Sequence, residues 1–294
     1  MFEKVVILGV GLLGGSLARD LKQRQLARTI IGVCRSDSTA DYAISNHVVD
    51  QVLPLDQAIQ GADLLVLATP MQVMLPLMEE IAQEIPKDLI VTDVGSVKTD
   101  LYAQLTTKLP GLLNQFVLAH PIAGGENSGV QAARSGLFEN KHVIITKTEE
   151  ADSQHLQRVA GMWQALGANV LAMSLQQHDA IFAKTSHLPH VVAFSLVNYL
   201  SNQENREELF NLAAAGFYDF TRIASSDAEM WRDICITNRE QVLNALDGYQ
   251  AQLTEIRERI NQADQQGILE YFGTAKASRD AGLLKKANTN PKNH

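Results

Sequence analysis

Residues 9–16 read Gly-Val-Gly-Leu-Leu-Gly-Gly-Ser and come directly after an apolar stretch, KVVILG at Lys4–Gly9. A G-x-G-x-x-G pattern between a strand and a helix is typical of a dinucleotide-binding turn. Gly9 permits the tight turn, Gly11 lets the backbone approach a pyrophosphate, and Gly14 lets the helix pack on the strand. The helix N-terminus, with Leu12 and Leu13, offers unpaired amides to negative charge. The alternative is a strand–turn–helix whose glycines serve geometry alone.

Short apolar runs alternate with helical patterns through the first half of the chain. They contain little polar alternation, which suits strands covered on both faces, as in a parallel sheet between helices. Helical patterns cover Leu12–Gln25 and Pro70–Gln83. We therefore predict an α/β fold that starts with a Rossmann-type, doubly wound parallel sheet. Its strands are expected at Lys4–Gly9, Thr29–Cys34, Asp63–Thr69, Leu89–Asp93, Gln115–Ala119 and His142–Thr146.

The sequence changes character near Ala172. From Leu175 to Gln262 it reads as almost continuous helix, and strand patterns are absent. We predict a dinucleotide-binding domain over residues 1–172 and an all-helical domain over residues 173–294, with a disordered tail from about residue 283. The helical domain either buries a core of its own or pairs with a second subunit.

The composition of the chain argues against several classes of protein. The chain has 294 residues, 46% of them hydrophobic, and a formal net charge of -8. This balance disfavours a nucleic-acid partner. The two cysteines, Cys34 and Cys235, lie far apart, which argues against a disulfide framework and a structural zinc site. We predict no membrane span and a cytoplasmic location, because no apolar run has the necessary length.

The end of the second predicted strand bears on the choice of dinucleotide. An acidic residue in this place normally holds the ribose hydroxyls of NAD. Here the strand runs into Cys34, Arg35, Ser36 and Asp37. Arg35 and Ser36 can bind a 2′-phosphate, so NADP is favoured over NAD. The alternative is that Arg35 is a solvated loop cation and that Asp37 binds the ribose.

Polar residues come after several predicted strands, where ligands gather in open α/β sheets. Thr69 and Pro70 are expected at the edge of the nicotinamide cleft. His120 is the candidate base, because an imidazole of near-neutral pKa can take a hydroxyl proton as hydride departs. Ser96 can bond the substrate hydroxyl or the imidazole, or it can cap a helix beginning near Val97, and the two roles can coexist.

Together these segments resemble the prephenate/arogenate dehydrogenase family of tyrosine biosynthesis. The resemblance covers residues 4 to about 275. It is carried by GVGLLGGS at Gly9–Ser16, DVGSVK at Asp93–Lys98, HPIAGGENSG at His120–Gly129, SHLPH at Ser186–His190 and DFTRIASSDAEMWRDI at Asp219–Ile234.

The resemblance implies oxidative decarboxylation of prephenate or arogenate, with hydride transfer to NAD or NADP, by a homodimer joined through its helical half. It implies that His120 accepts the ring hydroxyl proton, that Ser96 orients hydroxyl and imidazole, and that Arg222 binds a substrate carboxylate. The other implied pocket residues are His187 and His190, which line it, and Glu126, Asp219 and Trp231, which shape and gate it. The chain departs from NAD-using members at Cys34 and Arg35. It lacks a fused chorismate mutase segment, so we expect one activity.

Simpler interpretations remain open for these residues. His187 and His190 lie three apart and could be metal ligands, but Pro189 stands between them and no third ligand is evident, so we predict no metal. Trp231 could serve helix packing, and Asp219 with Arg222 could form a surface pair.

Two other functions also remain open. One is a different Rossmann-plus-helical dehydrogenase, acting on a hydroxy acid or cyclic imine and using a lysine such as Lys184. The other is a non-catalytic NADP sensor.

Overall fold

The structure is a computed structural model that describes residues 1–125 and 127–289. Its centre is an eight-stranded sheet in the order β3-β2-β1-β4-β5-β6-β7-β8. The first six positions match the order of a dinucleotide-binding fold, 3-2-1-4-5-6. The strands are β1 (Phe2–Leu8), β2 (Ala27–Val33), β3 (Gln51–Val52), β4 (Leu64–Leu67), β5 (Ile90–Asp93), β6 (Phe116–Pro121), β7 (His142–Thr146) and β8 (Asn169–Met173).

All six predicted strands are present, and their ends differ from the predicted ones by at most two residues. The two additional strands, β3 and β8, gave no clear signal: β3 has two residues, and the residues of β8 are mostly exposed or half-buried. β7 runs antiparallel to β6, with His120 opposite Ile144. The predicted Rossmann-type fold is therefore confirmed as a mostly parallel sheet with one antiparallel pairing.

Six helices cover the two faces of the sheet. They are α1 (Leu12–Gln23), α2 (Asp37–Ser45), α3 (Leu55–Ala58), α4 (Met71–Glu80), α5 (Thr99–Lys108) and α6 (Ser153–Ala165). Side chains alternate along β1, so Val5 and Ile7 enter one apolar cluster while Val6 and Leu8 enter another. α1 and α6 contribute to the first cluster, and α4 and α5 to the second. Both faces are buried, which explains the continuous apolar runs in the strands.

The helices after the sheet begin with α7 (Leu175–Phe182), which passes through a π-helical turn at Ala183–His187 into α8 (Leu188–Ser201). Pro189 lies in the first turn of α8, where a missing amide hydrogen is tolerated. The next three are α9 (Arg206–Leu212), α10 (Ala215–Thr221) and α11 (Ala228–Thr237), with a 3-10 turn at Arg222–Ser225 before α11.

The chain forms two compact units, Met1–Arg239 and Glu240–His294. The sequence becomes helical near residue 172, but the compact units do not divide there. α7 and α11 belong to the first unit, because they pack against α5 and α4 of the sheet region. The last two helices are α12 (Arg239–Asn261) and α13 (Gln265–Thr289).

We predicted a disordered tail from about residue 283. The structure instead describes α13 as a helix as far as Thr289. Leu283, Leu284 and the lysines and alanine after them are good helix formers. Within the described part of the chain, no helix is both long and apolar enough to cross a bilayer.

Candidate active site

The parallel strands β1, β4, β5 and β6 end at a common edge of the sheet. Leu8 pairs with Leu67, and Leu67 pairs with Asp93, so the segments after these strands begin side by side. β6 pairs with β5 in the same direction and carries His120 near its end. This edge therefore collects the glycine-rich turn, Thr69, Ser96 and His120.

The glycine-rich turn has the geometry of a phosphate cradle. Gly9 has a φ of +97°, which side chains rarely adopt, and a Cβ there would lie 2.7 Å from the carbonyl oxygen of Ala68. A Cβ on Gly14 would overlap the carbonyl oxygen of Gly9. A Cβ on Gly11, by contrast, would meet nothing within 4 Å. Gly9 and Gly14 thus serve the turn, and Gly11 faces open space that a ligand can fill.

The amides at the start of α1 are available to such a ligand. The first helical bond runs from the Gly15 amide to the Gly11 carbonyl at 2.8 Å, and no side chain caps the helix. The amides of Leu12, Leu13 and Gly14 precede that bond, so their N–H groups point toward an incoming anion. The residues present therefore fit the diphosphate of a dinucleotide.

Thr69 and Pro70 connect β4 to α4 beside this turn. The methyl carbon of Thr69 lies 2.9 Å from where a Cβ on Gly9 would stand. The Thr69 hydroxyl is buried and has no hydrogen-bond partner among the described residues. Pro70 caps α4, with φ −53° and ψ 145°. A buried hydroxyl without a partner is costly unless a ligand or water satisfies it, so Thr69 is placed to meet one.

The segment after β2 combines a thiol, a cation and a helix cap. Cys34 is half-buried, and burial raises the pKa of its thiol, opposed by a hydrogen bond with the backbone of Val10 in the glycine-rich turn. Arg35 is exposed, and no hydrogen bond or ion pair of its guanidinium is described. The Ser36 hydroxyl accepts the Thr39 amide at 3.3 Å and caps α2. Arg35 is thus available to a ligand, whereas Ser36 already has a structural role.

His120 is joined to a second histidine and a carboxylate. Its Nδ1 lies 2.8 Å from Nε2 of His178, and Nδ1 of His178 lies 2.7 Å from Oδ1 of Asp179. Phe182 packs against both rings, with centroids 5.1 Å from His120 and 4.7 Å from His178. His178 and Asp179 are buried, while His120 keeps an accessible edge. The three side chains thus form a hydrogen-bonded series that runs from the buried Asp179 to the accessible edge of His120.

The backbone before His120 is held by a buried ion pair. The Lys98 ammonium contacts the Asp93 carboxylate, and both side chains are inaccessible to solvent. Lys98 Nζ also donates to the carbonyl of Ala119 at 2.7 Å, and the Ala119 amide donates to Asp93 Oδ1 at 3.0 Å. Both polar groups of the residue preceding His120 are thereby bound, which fixes the direction in which the imidazole leaves the strand.

Burial is the largest cause that shifts the titration of His120. It lowers the pKa well below 6.5, and the nearby charges of His178, Lys98 and His187 act in the same direction. Burial likewise lowers the pKa of His178, against the opposing effect of Asp179. Both imidazoles are therefore neutral near pH 7, and a neutral imidazole is the form that accepts a proton.

Ser96 is half-buried in the segment between β5 and α5. It does not cap the helix, because α5 begins at Thr99 and its N-cap residue is Lys98. The amides of Lys98 and Thr99 instead donate to Asp179, at 3.0 and 2.8 Å. The helix-cap interpretation of Ser96 is thus wrong, since a carboxylate from α7 takes that role.

A second group of aromatic side chains lies along α8 and α11. His190 stacks on Trp231, with ring centroids 3.6 Å apart, and His187 lies edge-on to the same indole at 6.1 Å. Burial lowers the pKa of His187 to about 4. Burial also lowers the pKa of His190, and the neighbouring Arg222 charge acts in the same direction. Four of the predicted pocket residues, His187, His190, Arg222 and Trp231, are therefore close together.

The two other predicted pocket residues are Asp219 and Glu126. Asp219 is exposed on α10, and no hydrogen bond or ion pair of its side chain is described. Glu126 lies outside the described residues. Lys184, which another dehydrogenase reaction would use, is exposed in the π-helical turn. Among the described residues, no three His, Cys, Asp or Glu side chains are grouped so as to hold a metal ion.

The sequence interpretation missed several residues of the site. His178 and Asp179 are adjacent in the chain, and a His-Asp pair followed directly by the apolar residues Ala180–Phe182 was the available signal. Asp93 and Lys98 were recognised only as parts of a motif, without a role. Asn238 was missed entirely; its amide donates to the carbonyl of Asp179 at 3.0 Å and lies 3.1 Å from Nδ1 of His187.

Family models, related sequences and solved structures all match the same family. Residues 17–172 match the family model "Prephenate dehydrogenase, nucleotide-binding domain", and residues 174–274 match "Prephenate dehydrogenase, dimerization domain". A prephenate dehydrogenase of Bacillus subtilis is 36% identical over 99% of this chain and 79% of its own length.

Two solved structures extend this likeness to three dimensions. The A. aeolicus prephenate dehydrogenase, in complex with hydroxyphenyl propionate and NAD+, has a TM-score of 0.90 and 34% identity, covering 96% of this chain and 98% of that one. The Synechocystis arogenate dehydrogenase has a TM-score of 0.79 and 29% identity, covering 95% and 99%. Both domains, their order and nearly the full length agree, and the chain therefore belongs to the prephenate dehydrogenase family.

Proposed function

We propose that this oxidoreductase converts prephenate or arogenate, with loss of CO2, into 4-hydroxyphenylpyruvate or tyrosine. The observation that carries the proposal is the position of His120. Its imidazole is neutral, has an accessible edge, and lies at the sheet edge that also holds the glycine-rich turn. A base at this place can act on a substrate lying against the nicotinamide end of a dinucleotide.

Two residues of the chain act at the hydroxyl end of the substrate. His120 takes the proton of the ring hydroxyl, and Ser96 holds that hydroxyl toward the imidazole. The bound dinucleotide supplies the hydride acceptor. The electron pair of the breaking bond to the carboxylate then completes the aromatic ring and CO2 leaves. Because aromatisation drives the reaction, the main task of the protein is to orient the reacting groups.

The far end of the pocket is proposed to hold the substrate carboxylate. Arg222 offers a planar guanidinium, which can bind a carboxylate through two hydrogen bonds. Trp231 and His190 form a stacked wall beside it, and the Trp231 N–H is buried without a partner among the described residues. His187 lines the same wall. We assign Asp219 and Glu126 to shaping and gating the pocket.

For the cofactor we propose NADP in preference to NAD. Cys34 takes the place of the acid that would bind the ribose hydroxyls, and the exposed Arg35 supplies a cation for a 2′-phosphate. Ser36 would contribute its hydroxyl in addition to capping α2. Asp37 is the competing residue, and binding of the ribose by its carboxylate would favour NAD instead.

We further propose that residues 173–294 bind substrate and form a homodimer. Seven large apolar side chains of the unit Glu240–His294 are exposed, and packing against a second subunit would remove them from water. They are Leu243, Leu253, Ile260, Leu269, Phe272, Leu283 and Leu284. Sedimentation equilibrium should give twice the mass of the 32.3 kDa chain. A monomer at micromolar concentration would contradict this.

Paired kinetics with prephenate and arogenate, each with NAD and NADP, test the proposed reaction directly. The His120→Ala variant should lose about 100- to 10,000-fold in kcat, since this is the usual contribution of a placed base. It should still bind the dinucleotide. The Arg222→Ala variant should mainly raise the apparent KM for substrate. Turnover near that of wild type in His120→Ala would refute the assignment of the base.

A further inference from the structure

We propose that His178 and Asp179 are positioning residues that fix the tautomer of His120. In this arrangement Nδ1 of His120 carries the hydrogen, and Nε2 presents its lone pair to the substrate hydroxyl. The inference rests on the proposed role of His120 as the base. It follows from which nitrogen and oxygen atoms of the three side chains can donate a hydrogen bond and which can only accept one.

The buried end is the carboxylate of Asp179, which can only accept hydrogen bonds. Its Oδ1 accepts the Lys98 amide at 3.0 Å, and its Oδ2 accepts the Thr99 amide at 2.8 Å. Burial alone would raise the pKa of Asp179, but the bonds from His178, Thr99 and Lys98 bring it below its ordinary value. Asp179 is therefore an anion that needs a donor from His178.

The middle member is His178, whose Nδ1 lies 2.7 Å from Asp179 Oδ1. Because a carboxylate cannot donate, the hydrogen of this bond belongs to Nδ1 of His178. A neutral imidazole has one N–H group, so Nε2 of His178 carries a lone pair and must accept. Lys98 and Asp93, the other charged groups beside His178, act on its pKa in opposite directions.

The accessible end is His120, whose Nδ1 lies 2.8 Å from Nε2 of His178. Since that nitrogen of His178 accepts, Nδ1 of His120 must donate. Nε2 of His120 is left without hydrogen and can take the hydroxyl proton. The resulting imidazolium keeps its Nδ1–H bond to His178, and the negative charge of Asp179 stabilises it through that ring. No proton needs to move onto Asp179.

Asp179→Asn tests the carboxylate, because an amide oxygen can replace only one of its two oxygens. In either orientation the NH2 group faces a backbone amide, of Lys98 or of Thr99, and cannot accept its hydrogen bond. The variant also removes the negative charge that stabilises the imidazolium of His120. We expect kcat to fall by about 100- to 10,000-fold while the dinucleotide Kd stays unchanged.

Nitrogen-15 NMR of histidine-labelled protein measures the tautomer of His120 directly in the wild type. The His120 signals are assigned by their loss in His120→Ala. In the wild type, Nδ1 of His120 should show the shift of a protonated nitrogen and Nε2 that of a bare one. The opposite tautomer in the wild type would overturn the proposal, even if His120→Ala confirms that His120 is the base.

A second pair of variants separates tautomer control from packing. His178→Gln keeps an oxygen that can accept from Nδ1 of His120, whereas His178→Leu keeps bulk without an acceptor. We expect His178→Gln to retain at least about tenfold more kcat than His178→Leu, with similar KM values, because only glutamine offers an oxygen that holds the hydrogen on Nδ1 of His120. His142→Gln, at an exposed strand end, is the matched control and should behave as wild type. Equal kcat in the Gln and Leu variants would contradict the inference.

Discussion

At the scale of single residues, the choice of cofactor depends on the segment Cys34–Ser36 after β2. Cys34 is tied to the glycine-rich turn through Val10, and Ser36 is occupied as the cap of α2. Arg35 is left as the group whose charge can distinguish a phosphate from a hydroxyl. A charge-assisted contact of this kind strengthens binding more than a neutral hydrogen bond does.

We therefore expect Arg35→Gln to lower kcat/KM with NADP by roughly 10- to 100-fold, the equivalent of ~1.5–3 kcal/mol for a bond to a charged group. The value with NAD should change little. Initial rates at varied cofactor concentration measure this. The control is Arg28→Gln, which alters an exposed arginine of β2 that pairs with Glu3. A wild-type preference for NAD, or equal losses with both cofactors, would show that Arg35 does not bind a 2′-phosphate.

At the scale of elements, the buried pair Asp93–Lys98 connects β5, the start of α5 and β6. Lys98→Met keeps most of the side-chain volume but leaves a carboxylate buried without its cation. Such a loss is expected to lower the free energy of unfolding by ~3–5 kcal/mol. Urea denaturation measures the change. Lys276→Met, in the exposed pair with Asp280, should have little effect, and a similarly small effect of Lys98→Met would contradict the structural role.

The elements themselves could largely be predicted from the sequence, because their signals are local. Apolar runs covered on both faces and the glycine-rich turn determine six strands and α1. The two short or exposed strands, β3 and β8, lack such a signal, and the antiparallel direction of β7 depends on how the chain returns after β6. The residues of the site likewise include some with a local sequence signal and some that only packing brings together. His120 lies in a recognisable motif, but its partner His178 is 58 positions away, and only packing of α7 against the sheet region brings them together.

At the scale of the whole molecule, buried histidines should make stability depend on pH. Burial lowers the pKa of His120, His178 and His187 below the ordinary value of 6.5, in the last case to about 4. The unfolded chain therefore binds more protons below pH 6.5 than the folded one. Stability present above that pH is lost as the pH falls toward the folded values, by up to ~1.4 kcal/mol per pH unit for each histidine.

The free energy of unfolding in urea should thus be lower at pH 5.5 than at pH 7.5. Asp20, whose pKa burial raises, acts in the opposite direction, but only near its own titration above 3.8. Asp179, with a lowered pKa, adds a further loss only below 3.8. Equal or greater stability at pH 5.5 would show that the three histidines are not buried in their neutral form.

The three side chains of the His120–His178–Asp179 chain all precede residue 240 and belong to one polypeptide. If the proposed dimer is formed from one His120→Ala subunit and one intact subunit, the intact subunit would keep its own complete set. Such a hybrid should run at roughly half the rate of the wild type rather than be silenced. A cell carrying one defective and one normal copy of the gene would then lose activity in proportion to dose, without dominant interference.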